Sequence, residues 1–538
     1  MKLYIFSYQF LLIIILIIFS GNYLYAQQPV DSTREITILS GNSLSQKVVD
    51  AFTTLQILAG GNAKVKQGNT TLSGDSIILN PLTRVAEVFG NVHINDADSV
   101  HTYGQYLKYL GNERIAYIKK NVKLTDGKGT LYTDDLEYNL TTGIASYKNG
   151  GRVVNGTTVL TSANAVYYSD TKDVYFKQYV HLTDPKYDIV ADSLLYNTFF
   201  KTATFISPTR IKTKEGGTIN TKSGTYNLET GEAITDDYTA YTDSTRSLSG
   251  KKMAYEEKSG ILQVQENGKL VDSVNKVTVL GNIILLDKFK NSFLAAGKPV
   301  MILYRGTDST YIAGDTLFSG IRKYDTVTHN TIIKQDTLQK ITLSNASNQD
   351  SIRYFLAFHH VRIFNDSLQS VADSLYYSTE DSVFRLFKDP VVWNGKTQLT
   401  GDTIYMFTEK QQPKRLYVFN NGMVINKTDE NLYNQVAGRN INAYFIKGII
   451  DYVRVKGSPA ESIFYPEDED SAYVGMNRSS GDVIDLYFEK QELNKVKFQN
   501  NVEGILYPLN QVPAGTNRLK NFKWLDGRRP KNKLELFE

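Results

Sequence analysis

The sequence predicts an all-β protein made of a repeated antiparallel unit, and three observations lead to this fold class. One strand occurs almost twice, as Val-Ala-Asp-Ser-Leu-Leu-Tyr at residues 190–196 and as Val-Ala-Asp-Ser-Leu-Tyr-Tyr at residues 371–377. Side chains alternate along a strand, so Asp192, Leu194 and Tyr196 share one face. Weaker copies recur about every 30 residues, as in repeat architectures. No segment between them is long enough, or periodic enough at 3.6 residues, to form a crossover helix.

The first motif can be followed through seven successive copies. Most of them have a polar residue followed, two and four positions later, by apolar or aromatic residues. We expect the polar residue to begin a strand and to cap the turn before it. In chain order these polar residues are Asp75, Gln105, Asp134, Asn164, Asp192, Lys222 and Lys251, and later copies begin at Asp315, Asp373 and Asp402.

A second motif alternates with the first and also has apolar residues two positions apart. It reads Gly-Asn-Val-His-Ile at residues 90–94, Lys-Asn-Val-Lys-Leu at 120–124 and Gln-Tyr-Val-His-Leu at 178–182. Segments such as Asn-Leu-Thr-Thr-Gly at 139–143 join the motifs, and their Asn and Gly residues are typical of turns. Each period is therefore predicted to contain strands separated by short turns.

Composition narrows the class of protein further. Hydrophobic residues make up 41% of the 538 residues, enough for a core, and the chain has 36 Tyr, 38 Gly and only 12 Pro, which favours strands and tight turns. The formal net charge of +4 gives no general electrostatic case for nucleic acid. The sequence contains no cysteine, which excludes disulfides and a lipid-modified cysteine.

The amino terminus has the pattern of an export signal. Lys2 supplies the positive start, Leu11 to Phe19 is an unbroken apolar run, and cleavage is expected after Ala26. The alternative is an uncleaved anchor at residues 1–26, because the apolar stretch is near the lower limit of a membrane span. Export without disulfides indicates a bacterial periplasm, where the protein would be free or associated with the inner or outer membrane.

The repeats suggest how the rest of the chain is divided. We predict a first β-repeat module at residues 27–320, a polar linker or insertion at 321–350 and a second module at 351–510, so that two modules lie in tandem or form one long run. Residues 511–538 form a basic tail. The tail is expected either to be solvated or to contact a membrane surface or acidic sugar phosphates.

Side chains for catalysis or metal binding do not form a recognisable pattern. His359 and His360 are adjacent, so on a strand they point to opposite faces and cannot share a metal. The repeated Asp residues occur once per long repeat, unlike the dense Gly-Asp turns of calcium-binding β-rolls. No nucleophile elbow, phosphate loop or dinucleotide fingerprint is present. The sequence therefore predicts neither an enzyme nor a cofactor.

The persistent feature is an apolar face that would continue from repeat to repeat. It admits two interpretations: a packed core, or two walls held apart around an interior that accepts acyl chains. The candidate inward residues are Ile77, Leu79, Val92, Ile94, Leu107, Tyr109, Val122, Leu124, Leu136, Tyr138, Val166, Tyr168, Val180, Leu182, Leu194 and Tyr196.

The order of these motifs, Ala-Asp-Ser-Leu-x-Tyr, a turn with Thr-x-Gly, and then Gly-Asn-Val-x-Ile, resembles the OstA-like family. That family includes LptA-like lipopolysaccharide-transport proteins and the amino-terminal periplasmic domain of LptD. The likeness is best over residues 36–260 and looser over 313–506. It implies an elongated antiparallel β-taco or β-jellyroll whose interior shields lipid A chains, and end-to-end β-strand pairing with related transport proteins.

The chain departs from the family pattern in two ways. It is much longer than a simple LptA-like protein, and the residues after Pro508 are too few for the membrane barrel of a full LptD-like protein. The resemblance therefore implies a periplasmic bridge or carrier that delivers lipopolysaccharide for outer-membrane assembly. The alternative is a structural or adhesive β-repeat protein of the cell surface with a packed interior.

Overall fold

In a computed structural model, two compact units make up the described part of the chain, residues 35–214, 216–305, 308–323, 351–409, 412–470 and 472–537. Unit 1 contains the chain up to Pro185 and Ser193–Phe200, whereas unit 2 contains Lys186–Asp192 and the chain from Lys201 onward. The predicted signal at residues 1–26 and most of the predicted linker at 321–350 lie outside the described residues.

Regular structure in the described residues consists of 42 strands and three short 3₁₀ turns, which confirms the predicted all-β fold. The first sixteen strands are β1 Thr37–Ser40, β2 Ser43–Val48, β3 Thr54–Ala59, β4 Ala63–Gln67, β5 Thr70–Gly74, β6 Ser76–Asn80, β7 Val85–Asp96, β8 Val100–Leu110, β9 Ile115–Thr125, β10 Thr130–Asn139, β11 Ile144–Tyr147, β12 Gly151–Asn155, β13 Thr158–Ser162, β14 Asn164–Tyr168, β15 Asp173–Thr183 and β16 Tyr187–Asn197.

The remaining strands belong to unit 2. They are β17 Thr202–Phe205, β18 Thr209–Thr213, β19 Thr218–Thr221, β20 Gly224–Asn227, β21 Glu232–Thr235, β22 Thr239–Thr242, β23 Arg246–Gly250, β24 Lys252–Glu256, β25 Ile261–Asp272, β26 Val277–Asp287, β27 Ser292–Ala296, β28 Val300–Arg305, β29 Asp308–Ala313, β30 Thr316–Lys323, β31 Ser351–Phe364, β32 Gln369–Ser378, β33 Val383–Phe387, β34 Val391–Asn394, β35 Thr397–Thr400, β36 Thr403–Glu409, β37 Gln412–Lys427, β38 Tyr433–Ile446, β39 Ile449–Phe464, β40 Met476–Glu489, β41 Glu492–Gln499 and β42 Glu503–Tyr507. The 3₁₀ turns are Leu509–Gln511, Asp526–Arg528 and Lys533–Leu536.

Many long strands bend at a corner, which divides them into two halves. In β7 the corner is Gly90 and Asn91, with φ values of 68° and 44°, and the register with β8 shifts there. One half of β7 pairs with β5 and the other with β6. Paired left-handed residues also mark the corners of β9 and β15. Within each unit the strand halves therefore form two walls that meet along the corners, and we call their free ends the rim.

The repeated Asp lies at the corner rather than at a turn. The main-chain N–H of Asp75 donates to the carbonyl oxygens of Phe89 and Gly90 at 3.0 and 2.9 Å, and Asn91 Nδ2 donates to Asp75 Oδ1 at 3.0 Å. This corrects the expected role as a cap of the preceding turn, because the carboxylate instead fastens the bend of the neighbouring strand. The same amide–carboxylate pair joins Asn421 to Asp402 and Asn501 to Asp482.

The rim turns follow the predicted turn chemistry. Asn139 Oδ1 accepts hydrogen bonds from the main-chain N–H groups of Thr141 and Thr142, each at 3.0 Å. This Asx turn reverses the chain between β10 and β11. Equivalent turns begin at Asn80, Asn197 and Asn227.

Fourteen of the sixteen predicted inward residues are buried, but Val166 and Tyr168 are not. Tyr168 is 39% exposed and Val166 is half-buried, whereas Ala165 and Tyr167 are buried in their place. The prediction took Asn164 as the polar residue that begins the strand in this copy, the position that Asp134 holds in the copy before it. The corner is Ala163, whose N–H donates to the Gln178 carbonyl oxygen at 2.9 Å. A one-residue error in register exchanges the two faces of a strand.

The strands on either side of the predicted linker pair with each other. Strands β30 and β31, which precede and follow it, pair residue by residue from Thr316 with Phe358 to Lys323 with Ser351. The strands before and after residues 324–350 therefore pair directly, and the two compact units divide near residues 186–200. The division into modules at 27–320 and 351–510 stays a prediction.

The basic tail packs on unit 2, which differs from the expectation of a solvated segment. Residues 512–537, which we call the strap, contact the face opposite the interior: Leu519 packs with Met423 and Ile425, while Val424 between them is buried on the inner side. Leu525 and Leu536 pack against two further buried clusters. The strap thus covers an outer apolar surface of one wall.

Three buried glutamines hold the main chain and one arginine of the strap. Gln398 Nε2 donates to the Lys523 carbonyl oxygen and its Oε1 accepts from the Leu525 N–H, both at 2.8 Å. Gln435 binds the strap at Asn517 and Leu519 in the same two-sided way. The third, Gln369, accepts from the guanidinium of Arg529. Hydrogen bonds are directional, so these three glutamines fix the position of the strap along the wall, which apolar contacts alone would not do.

Candidate ligand-binding cavity

The interior of unit 1, where all the sequence-predicted binding residues lie, is filled. The fourteen buried candidates pack between the two walls. A pocket in the same unit, lined in part by Leu124, Tyr147 and Tyr167, has a volume of only about 20 Å³. An acyl chain could enter only if the walls moved apart.

A row of tyrosines closes the rim of unit 1. Three of them, Tyr109, Tyr138 and Tyr167, each occupy the fourth position after a corner residue and donate the hydroxyl to a residue of the opposite wall. Tyr138 Oη donates to Asp96 Oδ2 at 3.0 Å, and Tyr167 Oη donates to Asp126 Oδ2 at 2.6 Å. Tyr109 does the same with Gln67. Burial and the adjacent carboxylates raise the pKa of Tyr138 and Tyr167 well above the ordinary value.

Unit 1 is expected to lose stability at alkaline pH because it buries tyrosine hydroxyl groups that ionise more readily in the unfolded chain. Burial raises the pKa of Tyr147 from 10 to about 12. Between these values the unfolded chain releases the proton and the folded chain keeps it, so stability falls as pH rises. The contribution of Tyr147 is about 2 to 3 kcal/mol. Urea unfolding from about pH 9 to about pH 12 should show this decline.

The Tyr147→Phe variant supplies the test, because it has no phenol to ionise. Its unfolding free energy should fall less steeply with pH than that of the wild type. Tyr179→Phe is the matched control, since Tyr179 is exposed, and it should follow the wild-type curve. Parallel curves for wild type and Tyr147→Phe would contradict the assignment.

Unit 2 contains a larger cavity between its walls, with a volume of about 370 Å³. Apolar side chains from both walls form much of its lining. They include Leu270, Val279, Leu286, Phe293, Met301, Phe355, Ile363, Leu368, Phe384 and Met406. The volume and the lining of this cavity are typical of a site that binds an apolar or amphipathic molecule.

The row of rim tyrosines has a gap beside the cavity. Asp315 is a corner residue, since its N–H donates to the carbonyl oxygens of Phe358 and His359. The fourth position after it, which holds Tyr138 and Tyr167 in the earlier copies, is Ser319. Ser319 is buried and lines the cavity. A serine is too short to bridge the walls, and the space of a tyrosine ring stays open.

A cluster of charged side chains around Arg246, Asp272 and Arg353, which we call the charged end, lines part of the cavity. Arg246 Nε lies 3.6 Å from Asp272 Oδ2, and Arg246 also donates to Asn291 Oδ1. Arg353 Nη1 donates to Ser319 Oγ at 3.3 Å. Burial, together with the charge of Arg246, lowers the pKa of Arg353. A mainly apolar cavity therefore includes a cationic group.

Sequence reasoning missed this site because its signal is a missing side chain. The candidate residues were all taken from the copies between Asp75 and Tyr196, which lie in unit 1, where the interior is filled. Two features of the sequence could have indicated the site. Ser319 replaces a tyrosine, and Arg353 on β31 alternates in phase with the apolar residues Phe355 and Ala357.

The adjacent histidines His359 and His360 have separate partners. His359 Nδ1 lies 3.2 Å from Asp373 Oδ1, and His360 Nδ1 lies 2.9 Å from Asp315 Oδ2. Both are corner residues with positive φ. In the part of the chain that the structure describes, no three His, Asp or Glu side chains converge in the way a metal site requires.

The end strands of both units expose apolar residues. In unit 1, β2 carries exposed Leu44 and Val48, and Phe52 follows it. In unit 2, β42 carries exposed Ile505 and Leu506. Within the described ranges, β2 pairs only with β3 and β42 only with β40, so each has an open edge. Such edges can accept a further strand.

These features define a class of protein, a β-repeat protein whose two walls enclose an apolar interior. A family profile described as "OstA-like protein" matches residues 34–192. Residues 34–192 are therefore similar to the OstA-like family, which confirms the resemblance drawn from the sequence. A second profile, "Lipopolysaccharide-assembly, LptC-related", matches residues 119–271.

Among solved structures, one similar chain is LptH from Pseudomonas aeruginosa, described as the LptA homologous periplasmic component of the conserved lipopolysaccharide transport device. The identity is 19% and the TM-score 0.21, over 26% of this chain and 95% of LptH. A comparison with curated proteins finds no match. Across the residues that the structure covers, no helix is both long and apolar enough to cross a membrane.

Proposed function

We propose that this protein is a non-enzymatic periplasmic component of lipopolysaccharide transport, which holds the acyl chains of lipid A between its walls and bridges or carries the molecule to the outer membrane. The observation that carries the proposal is the apolar cavity of unit 2, in a chain that matches the OstA-like and LptC-related profiles. Burying acyl chains there removes apolar surface from water, which contributes about 25 cal/mol of binding free energy per Å² buried.

In this proposal the two units contribute differently. The cavity of unit 2 is open and can accept hydrocarbon without rearrangement. The predicted inward residues of unit 1 would contact the lipid only after the bonds from Tyr138 and Tyr167 to the opposite wall break. Hydrogen bonds to a charged carboxylate contribute about 1.5 to 3 kcal/mol each, so only a ligand that buries much apolar surface could offset their loss.

Related transport proteins are the proposed partners at the open edges. A strand from a partner would pair with β2 or β42 and cover the exposed apolar side chains there. The lipid interior could then continue from one protein to the next. This mode of assembly needs no additional domain.

Photo-crosslinking in cells tests where the lipid lies. A photoreactive amino acid at Phe355 or Met406, which line the cavity, should capture lipopolysaccharide. At Tyr405, which precedes Met406 on the same strand and therefore points to the other face, capture should be several-fold lower. Equal capture at Met406 and Tyr405 would contradict an interior site.

The second candidate function is a structural or adhesive surface protein with a packed interior, and the filled core of unit 1 favours it. Depletion of the protein separates the two. Lipopolysaccharide accumulating in the inner membrane supports transport, whereas normal lipopolysaccharide with altered attachment of cells supports adhesion.

A further inference from the structure

We infer that the charged end of the unit 2 cavity is an anion-binding subsite, which selects amphiphiles carrying a phosphate or carboxylate next to their hydrocarbon. Arg353 and Arg246 would bind the acidic group, and the neighbouring apolar side chains would hold the chain. The inference deepens the proposed function, since it assumes that this cavity is where the ligand binds.

Arg353 points into the interior because of its place on β31. It is two and four positions from Phe355 and Ala357, which are both buried, so the three side chains share the inward face. A guanidinium facing an apolar space is costly unless a partner compensates its charge. Of the described carboxylates, none forms an ion pair with Arg353, whose side chain donates to the Ser319 hydroxyl.

The nearby carboxylate is already engaged. Asp272 lies 3.6 Å from Arg246 and its charge also acts on Arg353, so one carboxylate is shared by two guanidinium groups and a net positive charge remains. The described lining residues include one carboxylate, Asp272, and four cationic side chains, Arg246, Lys276, Arg353 and Lys447. The excess of positive charge indicates an anionic ligand. A guanidinium binds phosphate or carboxylate through two parallel hydrogen bonds.

The apolar lining indicates that the anion is attached to hydrocarbon. Phe355 lies on the same face of the same strand as Arg353, and Phe293, Met301 and Leu368 also line the cavity. A free phosphate ion would satisfy only the charged end and leave the apolar lining uncovered. An amphiphile satisfies both parts of the site.

The test measures binding of three probes to the full-length protein by calorimetry: dodecyl phosphate below its micelle concentration, dodecanol and inorganic phosphate. Dodecyl phosphate should bind at least about tenfold more tightly than dodecanol, because hydrogen bonds to a charged group contribute about 1.5 to 3 kcal/mol. Inorganic phosphate should bind far more weakly than dodecyl phosphate. Equal affinity for dodecyl phosphate and dodecanol would overturn the inference.

Variants identify the residue. Arg353→Met should lose the preference for dodecyl phosphate and keep the affinity for dodecanol, and Arg353→Lys should keep part of the preference. Arg210→Met, at an exposed position of unit 2, is the control and should behave as wild type. If Arg353→Met keeps the preference for dodecyl phosphate over dodecanol, the subsite is refuted. If that variant does not fold, an unchanged preference in Arg353→Lys refutes it.

The outcome is separable from that of the proposed function. Selective binding of dodecyl phosphate without crosslinking of lipopolysaccharide at Phe355 would support the subsite and reject lipopolysaccharide as its ligand. Crosslinking of lipopolysaccharide with no preference among the probes would support transport and reject the subsite.

Discussion

Replacing Ser319 with tyrosine is expected to close the unit 2 cavity and to reduce binding of an acyl-chain ligand by up to about a hundredfold. The new ring would occupy the space that tyrosines fill in unit 1, and it would displace the guanidinium of Arg353 from Ser319. Losing about 100 Å² of apolar contact corresponds to about 2.5 kcal/mol. Calorimetric titration of the purified protein with dodecyl phosphate measures the loss.

The matched control is Ser249→Tyr. Ser249 follows buried Leu248 on β23, so it points to the other face of a wall of the same unit. This variant should bind the ligand as the wild type does. Undiminished binding by Ser319→Tyr would place the ligand outside the cavity.

Replacing Gln398 with alanine is expected to destabilise unit 2 by about 2 to 4 kcal/mol and to release the strap. Gln398 is fully buried and bonds Lys523 and Leu525 of the strap as well as Trp393 Nε1. Each buried polar group left without a partner costs about 1 to 3 kcal/mol. Urea unfolding measures the loss of stability.

Trypsin gives an independent measurement for the same variant. Lys520 and Lys523 are exposed on the strap but held against the wall, so cleavage there should become faster in Gln398→Ala. Gln105→Ala, at an exposed position of unit 1, should change neither stability nor cleavage. Unchanged trypsin resistance of Gln398→Ala would mean that the glutamine does not hold the strap.

The repeated part of the fold could be predicted because each copy carries its own signals. The alternation after Asp192 gives the inward face, and the Asn of each rim turn gives the reversal of the chain. Asn164 shows where this reasoning fails. It looks like the polar corner residue of its copy, yet Ala163 holds the corner, because a main-chain hydrogen bond makes the bend and any residue can supply it.

The cavity and the strap could not be predicted for two different reasons. The cavity exists because the small side chain of Ser319 leaves space unfilled. The periodic pattern of the sequence shows which residues face inward but not where space remains between them. The strap has seven basic residues that suggest a solvated segment, while Leu519, Trp524 and Leu525 follow no strand or helix period. Their burial depends on the outer face of a distant wall, which local sequence does not describe.

The corners also determine where insertions and deletions can be tolerated. One residue added between a corner and the next rim turn would exchange the inward and outward side chains of the rest of that strand. Residues added at a rim turn leave both faces unchanged. Residues 324–350 separate β30 from β31, two strands that pair directly, and so add length to the chain where the faces are unaffected. Lineages of this protein should therefore differ in length at the rim, and the spacing from corner to rim should change only in steps of two.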